Sequence, residues 1–472
     1  MRRIMAMGLN WHGESLFAPV EESALSQALI DALAGNAETV GALTAATAEA
    51  VSFKGEVERT ITDLSDPRAA GWTFLINSED SQRNEITEIL RPLAEHRGMD
   101  DPAEPLYYNG EDADEFGDWL SDNYYALEIE GQRVPQYFLI VGGPEQVPFR
   151  IQSILATLGN VGRVAFDSLT DLQTYVDKLI GLEAAPEPPV EREVLLFAPD
   201  GGISDPTHFS RLYMVQPLAE HIRDDLGFAT HTLIGEAATK AALAEALRTH
   251  KPALVYTASH GLGATDEPLD FQKQVNGAIC CQHTGPLGWD ALFSAADVEF
   301  GKPVLEGAVF FQFACFGYGT PAESDYAHWF DGVPQQYTSE DFVAALPKRL
   351  LAHPRGPVAF VGHLDTAFLH AFTDADDPHI LDRWHPRMAP FRRAVDGLLG
   401  VEPSGRAMEM MNTRYGTCNA IITNTYDRQK RGKLKWTAER AARFLDNWIV
   451  RSDAQNYMVF GDPGAHLRIP AP

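Results

Sequence analysis

Gly307-Ala-Val-Phe-Phe-Gln-Phe-Ala-Cys315-Phe-Gly-Tyr-Gly319 is an apolar run that stops on a thiol and then turns through glycines. It is too short for an ordinary helix and rich in aromatic and β-branched residues, so it reads as a buried strand. Upstream, Pro252-Ala-Leu-Val-Tyr-Thr-Ala-Ser-His260-Gly261 has the same pattern and stops on an imidazole followed by glycine. In open parallel sheets, functional groups collect just beyond the carboxyl ends of the strands. Two neighbouring strands that deliver a thiol and an imidazole to that edge form a nucleophile–base pair.

Outward from these two strands, the chain alternates strand and helix. Strands are expected at 71–77, 105–108, 137–141, 194–198, 230–234, 356–363 and 457–460, and helices at 81–97, 114–124, 169–181, 209–226, 239–249, 339–352 and 435–450. That alternation implies an α/β fold with parallel strands covered by helices on both faces. Residues 1–68 read as an Ala-rich helical opening, with helices at 22–33 and 40–50. Glu183-Ala-Ala-Pro-Glu-Pro-Pro189 reads as a stiff, solvated linker. The expected units are therefore 1–68, an α/β subdomain at 69–185 and a catalytic subdomain at 190–472. Residues 271–282 contain Asn276-Gly277, a short-hairpin signal, and are expected to leave the main sheet.

The 472 residues suffice for about two or three domains. A net charge of −28 argues against nucleic-acid binding, which needs a positive field, and admits a basic substrate or partner. Four cysteines do not make a disulfide scaffold. Met1-Arg-Arg-Ile-Met-Ala-Met-Gly8 begins like a signal peptide, but its apolar run stops at Asn10, and no stretch approaches the roughly 20 apolar residues of a membrane span. A cytoplasmic protein without membrane attachment is expected.

Cys315 and His260 are the leading chemical candidates. Gly317 and Gly319 let a substrate backbone approach, and the amides of Cys315 and Gly261 can face a developing oxyanion. The competing reading of Cys315 is a buried structural cysteine. Cys280-Cys281-Gln-His283 is read as structural filling, because alternation along a strand separates adjacent thiols. Asp374-Ala-Asp376-Asp377 is read as a solvated loop in preference to a calcium site. No cofactor and no metal are expected.

Ala314-Cys315-Phe-Gly317 and Ser259-His260-Gly261 resemble the cysteine and histidine motifs of the caspase-like cysteine peptidases of clan CD. The histidine lies about 50 residues upstream of the cysteine, as in caspases. Gln312 stands one place too far back for a true caspase. Tyr137-Phe-Leu-Ile-Val-Gly-Gly-Pro-Glu-Gln-Val-Pro148 and Phe460-Gly461-Asp462-Pro463 resemble segments of the gingipain and CHAT branches. The resemblance implies a caspase-like fold and an endopeptidase acting on a protein or peptide substrate. In it Cys315 forms a thioester and His260 donates a proton to the leaving amine. It also implies a pocket beside the dyad, drawing on Phe316, His363 and Asp365, with Asp365 as a candidate partner for a basic P1 side chain. A CHAT-like setting implies a regulatory activator protein. The rival classes are a non-enzymatic adaptor on a degenerate scaffold and a different thiol hydrolase or transferase.

Overall fold

The computed structural model describes residues 3–16, 19–21, 23–24, 26–27, 30, 63–99, 101, 104–112, 115–326, 336–373 and 385–471. The expected helix at 40–50 and the acidic loop at 374–377 lie outside the described residues, as does most of the helix expected at 22–33.

Ten strands form the main sheet: β1 Trp72–Asn77, β2 Leu106–Tyr108, β3 Tyr137–Val141, β4 Asn160–Val164, β5 Glu191–Ala198, β6 Ala229–Ile234, β7 Pro252–Ala258, β8 Val309–Phe313, β9 Ala359–His363 and β10 Tyr457–Phe460. Their order across the sheet is β2-β1-β3-β4-β10-β9-β8-β7-β5-β6. Pairing is parallel throughout except between β9 and β10. Strands β1–β4 and β10 therefore run one way and β5–β9 the other. The protein is a mixed α/β fold built on a parallel-rich sheet.

Both faces of the sheet are covered. Phe74, Ile76, Leu139 and Val141 point into the main core, while Leu75, Phe138 and Ile140 point into a second cluster on the other face. Burial on both sides is why these strands read as unbroken apolar runs. Helices begin where a short polar side chain can cap them. Ser168 accepts from the Asp171 amide before Leu169–Ala184, and Thr239 accepts from Ala242 before Lys240–Thr249.

Four expectations change. The opening expected to be helical carries short strands at Arg3–Ile4, Gly8–Leu9 and Val20–Glu21, because each finds a strand partner. Residues 271–282 hold no two-stranded hairpin. Leu269–Val275 is a helix, and Ile279–Cys280 pairs antiparallel with Gly261–Leu262. Asn276 is instead a buried clamp: its Oδ1 accepts from the Ala264 amide at 2.8 Å and its Nδ2 donates to Thr320 Oγ1 at 3.1 Å. The helix expected at 339–352 begins only at Ala345. Glu183 is not a solvated linker acid, because it ends a helix and is buried against Arg97.

Asp462, in the Gly461-Asp462-Pro463 segment, ties the exit of β10 to β1 and to Arg97. Its Oδ1 accepts from Trp72 Nε1 at 2.8 Å and its Oδ2 from Arg97 Nε at 2.7 Å. Arg97 also donates to both Glu183 oxygens, at 2.6 and 2.7 Å. Burial disfavours the Glu183 carboxylate, but hydrogen bonds from His96 and Arg97 outweigh it and hold the group at about 2. Removing one member of such a network strands a buried charge, which costs roughly 3–5 kcal/mol. Asp462→Ala is expected to lower stability by that order, read as a lower urea-unfolding midpoint.

Candidate active site

Strands β7 and β8 pair in parallel from Leu254 opposite Val309 to Ala258 opposite Phe313. His260 and Cys315 each stand two residues beyond the last matched pair. The Ser259 amide, donating to the Phe313 carbonyl at 3.2 Å, carries the ladder toward them. Phe316, at φ 57, then turns the chain off the sheet in a region that a bulky residue rarely adopts. Gly261 has no room for a side chain, since a Cβ there would lie 1.8 Å from the Cys315 carbonyl oxygen. The two strand exits thus touch through backbone.

His260 Nε2 lies 3.0 and 2.9 Å from the two carboxylate oxygens of Asp205. Asp205 sits beyond the end of β5, the neighbour of β7, and caps the helix Pro206–Ser210 by accepting from the Thr207 amide at 2.8 Å. Burial disfavours its charge, but hydrogen bonds from His260 and Thr207 prevail and hold the carboxyl at about 2. An ionised Asp205 paired with Nε2 fixes the orientation of the His260 ring, whose other nitrogen is Nδ1. That Nδ1 is buried and has no hydrogen-bond partner among the described residues.

Cys315 is fully buried. Its Sγ accepts from the Ala367 amide at 3.2 Å and makes no hydrogen bond to His260. Burial pushes the thiol far up, so it is neutral as folded. The amides of Gly261 and Cys315 converge on one oxygen, the carbonyl of Met7, at 3.1 and 3.4 Å. Two backbone donors aimed at a single carbonyl have the arrangement that stabilising an oxyanion would need.

The other pocket candidates are placed differently. Asp365 is 1% exposed and its oxygens are taken. They accept from the Thr366 amide at 2.6 Å, the Asp325 amide at 3.0 Å and Ser324 Oγ at 3.2 Å. It ties the 324–326 loop to the exit of β9 and offers no free carboxylate to a basic side chain. His363 is fully buried, with Nδ1 2.8 Å from the Asp365 carbonyl. Phe316 is buried and packs edge-on against Tyr337, with ring centroids 5.2 Å apart.

Sequence reasoning missed Asp205. The available signal was Asp205-Pro206, a capping acid followed by a first-turn proline, just beyond a strand exit beside β7. It also missed the grouping of Glu193, His231 and His250, which offer three ligand atoms within 4.8 Å of one another. They lie on β5, on β6 and just before β7, away from Cys315. Cys280 and Cys281 pack into different clusters, as alternation along a strand requires. No helix among the described residues is long and apolar enough to cross a membrane.

Compared with protein-family models the chain matches none, and it matches none of the curated proteins. Among solved structures it is similar to the Arg-specific cysteine proteinase gingipain R, with a TM-score of 0.47 at 15% identity over 84% of this chain and 78% of that one. It is also similar to the complex of Porphyromonas gingivalis RgpB pro- and mature domains, with a TM-score of 0.46 at 14% identity over 84% and 80%.

Burial first, and Asp325 second, push the Asp365 carboxyl up to about 7. The folded chain therefore holds a proton there that the unfolded chain releases above about 4. Stability from this group is full below that pH and declines as pH rises toward 7. Asp365→Asn is expected to remove this slope, measured as urea-unfolding midpoints between pH 4 and 8.

Proposed function

We propose that the protein is a cysteine endopeptidase in which Cys315 is the nucleophile, His260 the proton carrier and Asp205 its positioning residue. The observation that carries this reading is the Met7 carbonyl, held by the Gly261 and Cys315 amides beside the Cys315 side chain. Donors fixed before the reaction stabilise the negative oxygen of a tetrahedral intermediate without reorganising. Cys315 Sγ attacks a peptide carbonyl and passes its proton to His260. The amine then leaves with that proton, and water hydrolyses the thioester.

The residue motifs support placing this activity near the gingipain and CHAT branches, with a protein or peptide substrate and control by an activator protein or signal. With the Asp365 carboxylate already bonded, a basic P1 preference loses its support from this residue. A second reading, a catalytically silent scaffold that acts by binding, is favoured by the buried, neutral Cys315 thiol.

Irreversible labelling with a peptidyl electrophile separates the two. Labelling is expected on Cys315 and absent in Cys315→Ala, and His260→Ala is expected to slow it roughly 10²–10⁴-fold. Asp205→Asn is expected to lower kcat more than it changes KM and to shift the pH profile. Labelling of Cys315→Ala as strong as that measured in the native protein, on residues other than 315, would favour the silent scaffold.

A further inference from the structure

The oxygen in the oxyanion pocket belongs to the chain's own amino-terminal segment, and that segment crosses the site in an extended, ordered register. On one side it pairs antiparallel with residues 367–369. The Met7 amide donates to the Ala367 carbonyl at 2.8 Å, and the Leu369 amide donates to the Met5 carbonyl at 3.3 Å. Between these bonds, Ala6 bridges to Phe368. On the other side Gly8–Leu9 pairs in parallel with Gly261–Leu262, and the Gly263 amide donates to the Leu9 carbonyl at 2.8 Å. Main-chain pairing of this kind is how an extended peptide docks by adding a strand.

The side chains agree with the backbone. Met7 is fully buried within the main core cluster. At Gly8 a Cβ would lie 2.9 Å from Cys315 Sγ and 2.3 Å from the Leu16 side chain, so only glycine fits beside the sulfur. One peptide carbonyl therefore sits in the oxyanion pocket with the nucleophile against the following residue. His260 directly precedes Gly261, and its Nδ1 is buried with no hydrogen-bond partner among the described residues.

We propose that residues 5–9 occupy the site as an internal substrate, and that Met7–Gly8 is the bond Cys315 cleaves. The inference rests on the peptidase reading and adds the substrate to it: an extended strand with an unbranched apolar residue before the cut and glycine after it. Cys315 Sγ attacks the Met7 carbonyl carbon while the Gly261 and Cys315 amides hold the oxygen. The thiol proton passes through His260 to the Gly8 nitrogen as the Met7–Gly8 bond breaks. Water then hydrolyses the Met7 thioester, leaving a Met7 carboxylate and a free Gly8 amine and restoring the thiol. The upstream piece stays docked after the cut, because Arg3–Ile4 pairs with Val20–Glu21 and residues 5–7 keep their bonds to 367–369. Until it leaves, the segment blocks other substrates.

The test follows the full-length chain by denaturing intact-mass analysis and tandem sequencing of its amino-terminal peptides. Native protein is expected to accumulate a chain starting at Gly8, and Cys315→Ala is expected to remain uncut. A synthetic peptide spanning residues 3–11 is expected to be cut at the same bond. Met7→Glu places a charge in the buried position and is expected to raise the rate of electrophile labelling at Cys315 at least tenfold. A native chain that labels at Cys315 yet yields no Gly8 terminus, from itself or from the peptide, overturns this inference and leaves the peptidase reading standing. Labelling in Met7→Glu without cleavage in the native chain likewise overturns it, because the segment then only blocks the site. Absence of labelling in both native and Met7→Glu chains overturns both readings, provided circular dichroism shows them equally folded.

Discussion

The parallel register of β7 against β8 is the constraint on which the site depends. Five consecutive residue pairs, all buried, fix it, and a slip of one residue would turn each side chain to the opposite face. Because both strands end at the same level, the imidazole and the thiol inherit their placement from the core and not from flexible loops. The missing side chain at Gly261 closes the remaining distance, bringing the two exits into backbone contact.

The electrostatics of the site are divided between a charged and an uncharged half. Asp205 is ionised and orients the ring of His260, whereas Cys315, Asp365 and the core around them favour neutral forms. A neutral thiol stores no thiolate, so in the proposed reaction charge has to be made as the bonds change. The Gly261 and Cys315 amides suit that proposal, since both already point at one carbonyl oxygen. The amino-terminal segment contributes to the burial of the thiol, since a Cβ added at Gly8 would lie 2.9 Å from the sulfur.

Much of the fold was legible in short apolar runs, because strands buried on both faces leave no alternation to misread. The β3, β7, β8 and β10 segments were found in this way, and with them the neighbouring strand exits that carry His260 and Cys315. β4 was missed: Asn160-Val-Gly-Arg-Val164 carries an arginine that reads as exposed, yet Arg163 is fully buried and donates to Gln152 and to the carbonyls of Gly142 and Val147. Asp205 was hidden for a different reason. Its pairing with His260 spans 55 residues and is set by the neighbourhood of β5 and β7, which no local pattern encodes. Asp365 was overvalued because a carboxylate at a strand exit looks free until its backbone donors are known. The role of residues 5–9 was equally invisible, since their partners lie at 261–263, 315 and 367–369.

The placement of β10 has a consequence for biosynthesis. It lies between β4 and β9, near the middle of the sheet, yet it follows every other strand in the chain. Until residue 460 has left the ribosome, β4 and β9 each present an unpaired edge, and Trp72 and Arg97 wait for the Asp462 carboxylate. Such edges invite mispairing with other chains. Insertion of the last strand is then a long-range closing step, and loop-closure entropy makes it slow relative to local contacts. A nascent chain of this protein is accordingly two half-sheets with open edges until that last strand arrives to join them.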